Sequence, residues 1–169
     1  MATEAEMRLH RCCFTGHRPQ KLAVQERIIK KALEEEVKRA IDDGFTTFIS
    51  GMAQGVDIWA AEIVLKLRKK YNLKLICACP FEGFEKSWSE DWKRVYTKIL
   101  EKADLVKYIS PGYSKPCFQI RNEWMVDHSS RVIAAWNGEP SGTKNTVVYA
   151  KRKGVAVVNI LKIEQPDEE

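Results

Sequence analysis

Ser50-Gly51-Met52-Ala53-Gln54-Gly55-Val56-Asp57 follows a short apolar run, residues 45–49, and opens onto a helix-like stretch, 58–70. Glycines without Cβ let backbone N–H groups approach a ligand, and a helix start adds partial positive charge. Anion binding, of phosphate above all, is the chemistry this suits. Asp57, just inside the helix start, either caps that turn or takes a sugar hydroxyl. A second loop, Thr15-Gly16-His17-Arg18-Pro19, closes an apolar run at 11–14. Gly16 permits a tight turn, and His17 either caps a backbone group or meets the ligand. The Arg18 guanidinium fork matches phosphate geometry. A third loop spans 138–146, where Gly142, Thr143 and Asn145 precede or open a helix. A routine turn would need Gly and Pro, but not Gly-Thr-x-Asn-Thr. Arg121 and Asn122 stand on a further helix with Asp127, and a solvated surface Arg is the alternative there. Trp136, at a strand end, and Trp59 are the candidate ring platforms for a base.

These loops need a scaffold that brings them together. Apolar runs at 11–14, 45–49, 73–79, 104–109, 131–136 and 155–160 read as strands. Between them, helical spacing predicts helices over 24–41, 58–70, 88–101, 117–129 and 143–153. In the first of these, Val24, Ile28, Ala32, Leu33, Val37, Ala40 and Ile41 recur at helical spacing and stop at Gly44. In the third, Trp88, Trp92, Val95, Ile99 and Leu100 are expected to face the core. Strands separated by helices of this length pair in parallel through right-handed crossovers. The expected fold is α/β, a single Rossmann-like three-layer domain with a mainly parallel, doubly wound sheet. Ligands then bind beyond the carboxyl ends of the strands, where the unusual loops fall. The domain is expected over 10–162, between a flexible N-terminus at 1–9 and an acidic tail at 163–169.

Composition narrows the function classes. The chain has 169 residues, enough for one full core. Its formal charge of +5 mildly favours anionic partners but falls short of a surface that coats nucleic acid. No apolar run approaches the roughly 20 residues of a membrane span. The polar N-terminus reads as neither signal peptide nor anchor. The five cysteines, 12, 13, 77, 79 and 117, include no CxxC pair. Four lie in apolar runs, which fits small buried thiols in a cytoplasmic protein. Cys79 and Cys117 fall near strand ends and could face a site. Neither a metal nor an obligatory cofactor is called for.

The same motifs carry a family resemblance. Thr-Gly-His-Arg-Pro at 15–19, Ser-Gly-Met-Ala-Gln-Gly-Val-Asp at 50–57 with Ala60-Ala61-Glu62, Pro80-Phe81 with Trp88, Arg121-Asn122 with Met125-Val126-Asp127, and Gly142-Thr143 before Tyr149-Ala150 stand in order. Together they resemble the YpsA-like family of the SLOG superfamily, which also holds DprA and the LOG-type cytokinin-activating enzymes. The resemblance covers about residues 10 to 160. It implies a bacterial protein with a pocket for a nucleotide or nucleotide-derived ligand, and no agreed catalytic activity. The implied contacts are Thr15, Gly16, Arg18, Ser50, Gly51, Gly55, Asp57, Glu62, Arg121, Asn122, Gly142 and Thr143. A homodimer is expected on analogy alone. One departure is Ser141-Gly142-Thr143, where the family tends to have Gly-Gly-Thr.

Two rival functions follow from the resemblance. LOG-type enzymes cleave the N-glycosidic bond of a nucleoside monophosphate, using an Arg from an Arg-x-x-x-Met helix and a Glu after Gly-Thr. Arg121 to Met125 keeps the first pattern, but Thr146 occupies the Glu position. Cleavage through an oxocarbenium-like state needs a carboxylate near the ribose. Arg121, Asp57 and Glu62 are therefore the candidate catalytic residues, with Asp57 or Glu62 replacing the missing Glu. DprA carries a similar Ser-Gly-x-Ala-x-Gly loop and engages single-stranded DNA. The positive charge and five tryptophans would suit such binding, but Trp88, Trp92 and Trp124 fall on apolar helix faces and read as core residues, so nucleic acid is not the favoured partner. The favoured function is binding or sensing of a small nucleotide-like ligand.

Overall fold

The computed structural model describes residues 1–22 and 24–161. Six strands, β1 (Arg11–Gly16), β2 (Thr47–Ser50), β3 (Lys74–Cys79), β4 (Leu105–Tyr108), β5 (Arg131–Ala135) and β6 (Ala156–Asn159), form one sheet. All pairings are parallel, in the order β4-β3-β2-β1-β5-β6. The chain adds strands outward from β1 to β4, then returns to the free side of β1 for β5. Right-handed crossovers make that reversal put the helices before it and the helices after it on opposite faces. Thus α2 (Glu26–Asp42), α3 (Val56–Leu67) and α4 (Glu90–Lys102) cover one face, and α5 (Cys117–Asp127) and α6 (Gly142–Arg152) the other. The fold is a single Rossmann-like α/β domain, and its crevice falls between β1 and β5, where the strand order reverses.

Strand side chains alternate between two cores because the pleat has period two. Cys12, Phe14, Phe48, Leu75, Cys77, Ile133 and Ala135 pack toward α2–α4, where Ile29, Leu33, Val37, Val64 and Ile99 meet them. Phe14 and Phe48 stack with ring centroids 6.0 Å apart. Cys13, Ile49, Ala78 and Val132 face the other way, against Met125, Val126, Tyr149 and Ala150. Burial of each such large side chain is worth about 1.5–3 kcal/mol.

Several boundaries differ from the expected ones for local reasons. Helix α2 starts at Glu26, so Val24 precedes it; both Val24 and Ile28 are exposed, and the buried face runs through Ile29, Leu33, Val37 and Ala40. Helix α4 starts at Glu90 because the Ser89 hydroxyl caps it, accepting from the Trp92 N–H at 3.4 Å. That leaves Trp88 in the preceding loop rather than on a helix face. The N-terminus expected to be flexible over 1–9 contains a short helix, α1 (Glu4–Arg8), closed by a Thr3–Glu6 capping box. Arg8 Nε ties it down by donating to the Ser129 carbonyl at 3.0 Å. The acidic tail, 163–169, lies outside the described residues. Among the described residues no helix is long and apolar enough to cross a membrane.

Candidate functional site

A cleft of about 590 Å³ opens beyond the carboxyl ends of the central strands. The loop after β1 gives it Thr15, Gly16, His17, Arg18 and Lys21, and the loop after β2 gives Ala53, Gln54 and Asp57. Arg121, Asn122 and Met125 come from α5, and Ser141, Gly142 and Thr143 from the start of α6. The N-termini of α3 and α6 therefore both border the cleft, and each carries unpaired backbone N–H groups and a partial positive charge.

The β2 loop is built to hold Asp57 and Arg121 side by side. Ser50 is buried; its hydroxyl donates to the Asp57 carbonyl at 2.8 Å and accepts from the Met52 N–H at 3.2 Å. Met52 adopts φ 62°, a left-handed conformation that a non-glycine residue holds only under tertiary constraint. Gly55 follows at φ 95° as the N-cap of α3. A Cβ on Gly55 would sit 2.8 Å from Pro19 Cδ, so the first two loops close on each other there. A Cβ on Gly51 would sit 2.9 Å from Arg121 Cζ and 3.0 Å from Asp57 Oδ2. Ser50, Gly51, Met52 and Gly55 thus shape the cleft from behind its wall rather than lining it.

Arg121 is 5% exposed, and its Nη1 donates to the Gly51 carbonyl while Nε donates to Asn122 Oδ1 at 2.8 Å. Burial lowers its pKa, with Asp57 acting in the opposite sense. Asp57 is 6% exposed; its Oδ2 accepts from the Ala53 N–H at 3.3 Å, and its buried Oδ1 has no partner. Desolvation pushes its carboxyl up to about 6, against the pull of Arg121 and the Ala53 N–H. His17 is also buried, and its Nε2 accepts from the Asn137 N–H at 3.1 Å. Burial lowers its pKa, which keeps the ring neutral and suited to that acceptor role. His17 therefore caps a backbone group and still borders the cleft.

Some expected residues stand elsewhere. Glu62 is exposed on the outer side of α3, in a separate groove with Lys66, Lys69, Lys98 and Lys102. Helical periodicity turns it away from Asp57, five residues earlier. Asn145 is exposed and does not line the cleft. Trp136 spends its indole N–H on the Glu139 carbonyl at 2.8 Å, and Trp59 is buried in the core, so neither offers a ring to the cleft. Thr146 is buried, its hydroxyl donating to the Gly142 carbonyl at 2.9 Å within α6. Ser141 caps α6 by accepting from the Lys144 N–H at 3.1 Å; its φ of −175° needs no glycine. All five cysteines are buried, and burial pushes the Cys79 thiol up to about 11, far from a reactive thiolate.

Rings missed in the sequence form one wall. Phe84, Trp88 and Phe118 line the cleft and belong to an edge-to-face cluster with Phe81, Tyr96 and Tyr113. Trp88 hid among helical apolar positions; the Ser89-x-x cap signal was the clue that it lies outside α4.

The site lies on a chain with clear relatives. The profile of the YspA SLOG family (YpsA) matches residues 12–164. A UPF0398 protein of Bacillus cereus (strain G9842) is 33% identical over 150 residues, covering 83% of this chain and 82% of that protein. A UPF0398 protein of Bacillus thuringiensis (strain Al Hakam) matches to the same extent. Among solved structures, DNA processing protein A (DprA) from Streptococcus pneumoniae superposes with TM-score 0.63 at 20% identity, over 89% of this chain and 50% of that one. DprA from Helicobacter pylori, described for its single-stranded DNA binding mode, gives TM-score 0.63 at 19% identity, over 91% and 66%. A molybdenum cofactor binding protein from Rippkaea orientalis gives 0.56 at 20% identity, over 89% and 76%. These structural likenesses speak to the fold. The family match along most of the chain, with relatives a third identical, carries the assignment: this chain belongs to the YspA SLOG family.

Proposed function

We propose that the protein binds a nucleotide or nucleotide-derived small molecule in the cleft, as a sensor or carrier rather than a hydrolase. The observation that carries this reading is Asp57 Oδ1, a buried acceptor with no hydrogen-bond partner, on a residue that lines the cleft. An unpaired buried carboxylate oxygen is costly, and a sugar hydroxyl from a bound ligand would satisfy it. The α3 and α6 termini, with Arg18 and Lys21, suit the ligand's phosphate. Binding is favoured over hydrolysis because Thr146 is turned into its own helix, Glu62 faces another groove, and Arg121 is committed to Gly51 and Asn122.

Calorimetric titration with nucleoside mono-, di- and triphosphates tests this. At least one is expected to bind wild type, and Gly51→Glu, which fills the space between Arg121 and Asp57, is expected to abolish it. No binding by wild type across the panel would overturn the reading. Chromatography of the same mixtures should show no free base; release at about one turnover per second or faster would establish an enzyme instead.

A further inference from the structure

The aromatic wall and the α6 N-terminus lie at opposite ends of the cleft. Phe84 and Trp88 follow β3, Ser141 to Thr143 follow β5, and β2 and β1 stand between those strands. Adjacent strands are about 4.8 Å apart, so three spacings separate the two ends by roughly 14 Å. A nucleoside 5′-monophosphate covers about half that span from ring to phosphorus. Asp57, on the β2 side, falls between the ends, and its Oδ1 has no hydrogen-bond partner. The phosphate side holds more positive charge than one monoester needs: Arg18 and Lys21 on the β1 loop, both exposed, besides the α6 N-terminus.

On the reading that the cleft binds nucleotides, we propose that it selects a nucleoside bearing two or more phosphates. The base stacks on the Phe84–Trp88–Phe118 wall, the sugar meets Asp57, and the outer phosphate lies over the first turn of α6. Stacking tolerates any base, because every base offers a π-face. Selection is therefore by length and charge rather than by base identity.

Titrations with AMP, ADP and UDP on wild type, Trp88→Ala and Phe118→Ala test it. ADP is expected to bind at least about tenfold tighter than AMP, the gain for one further directed phosphate contact. UDP should bind close to ADP. Each ring substitution should weaken ADP and UDP roughly tenfold, within the range for losing a base–aromatic contact. Phe118 is partly exposed, so its variant reports on binding even if Trp88→Ala disturbs the cluster. Equal affinity for AMP and ADP, or ADP binding untouched in Phe118→Ala, would overturn the inference while leaving nucleotide binding standing. Failure of all three nucleotides on wild type would remove the underlying reading as well.

Discussion

Burial of the Asp57 carboxylate carries a desolvation cost that its Ala53 N–H bond and the neighbouring Arg121 only partly offset. Its pKa stands at about 6 in the fold against 3.8 for the free side chain. Between those values the folded state binds more protons than the unfolded one, so this group's contribution falls as pH rises. At 1.36 kcal/mol per pH unit, the loss reaches about 3 kcal/mol by neutral pH. Asp57→Asn is therefore expected to stabilise the protein at pH 7.5, leave it nearly unchanged at pH 4, and flatten the slope between. Urea denaturation at the two pH values reads this directly, and destabilisation at pH 7.5 would mean that attraction to Arg121 outweighs desolvation. Gly51 tests the neighbouring contact. Gly51→Ala drives a Cβ to 2.9 Å from the buried Arg121 guanidinium, an overpacking expected to cost about 1–3 kcal/mol. The same denaturation midpoints show it, and a neutral result would mean that the guanidinium moves freely.

Two helix starts border the cleft, and they are built differently. Helix α3 is entered through Met52 at φ 62° and Gly55 at φ 95°, with no side-chain cap on its first turn. Helix α6 is entered through Ser141 in an extended conformation, its hydroxyl bonded to the Lys144 N–H. Ser141→Ala removes that bond and is expected to cost about 1 kcal/mol, whereas Ser141→Gly should cost only a few tenths. Comparison of the two variants by denaturant midpoint separates loss of the cap from loss of backbone rigidity. Equal costs would show that the hydroxyl contributes nothing. Helix α5 acts as a strut, because Arg121 reaches from it across to the Gly51 carbonyl and fixes the β2 loop.

Over the whole molecule, a net charge of +5 on 169 residues mildly favours anionic partners. A small-ligand cleft contacts few phosphates and releases few counterions, whereas a strand-binding groove neutralises several. On single strands, log affinity falls by about 0.7 per contacted phosphate for each decade of salt. Any oligonucleotide binding is expected to be weak and to collapse near physiological salt, whereas on the proposed reading nucleotide binding is expected to persist, since directed N–H groups would hold the phosphate. Fluorescence anisotropy with a labelled single strand across a salt series checks this. Tight, salt-resistant binding that is lost in Arg18→Ala would show that the cleft serves DNA.

The layered α/β fold was legible in the sequence because hydrophobic periodicity is local. Short β-rich runs and 3.6-residue patterns each report on their own neighbours, and the alternation leaves few topologies. The loops after β1, β2 and β5 were legible for the same reason, since glycines, hydroxyls and an Arg at strand ends are punctuation along the chain. Direction in space was not. Glu62 and Asp57 share one helix, but only the packing of α3 sets one inward and the other toward the lysine groove. Trp88 matched a core pattern until the Ser89 cap moved the helix start past it and the Phe84–Tyr96 cluster drew it to the cleft wall. Thr146 carried a hydroxyl that local back-bonding turned away. The elements follow from residue order because their forces act over a few residues. Which side chains share the cleft follows from contacts such as Arg121 to Gly51, 70 residues apart, and only the folded chain decides those.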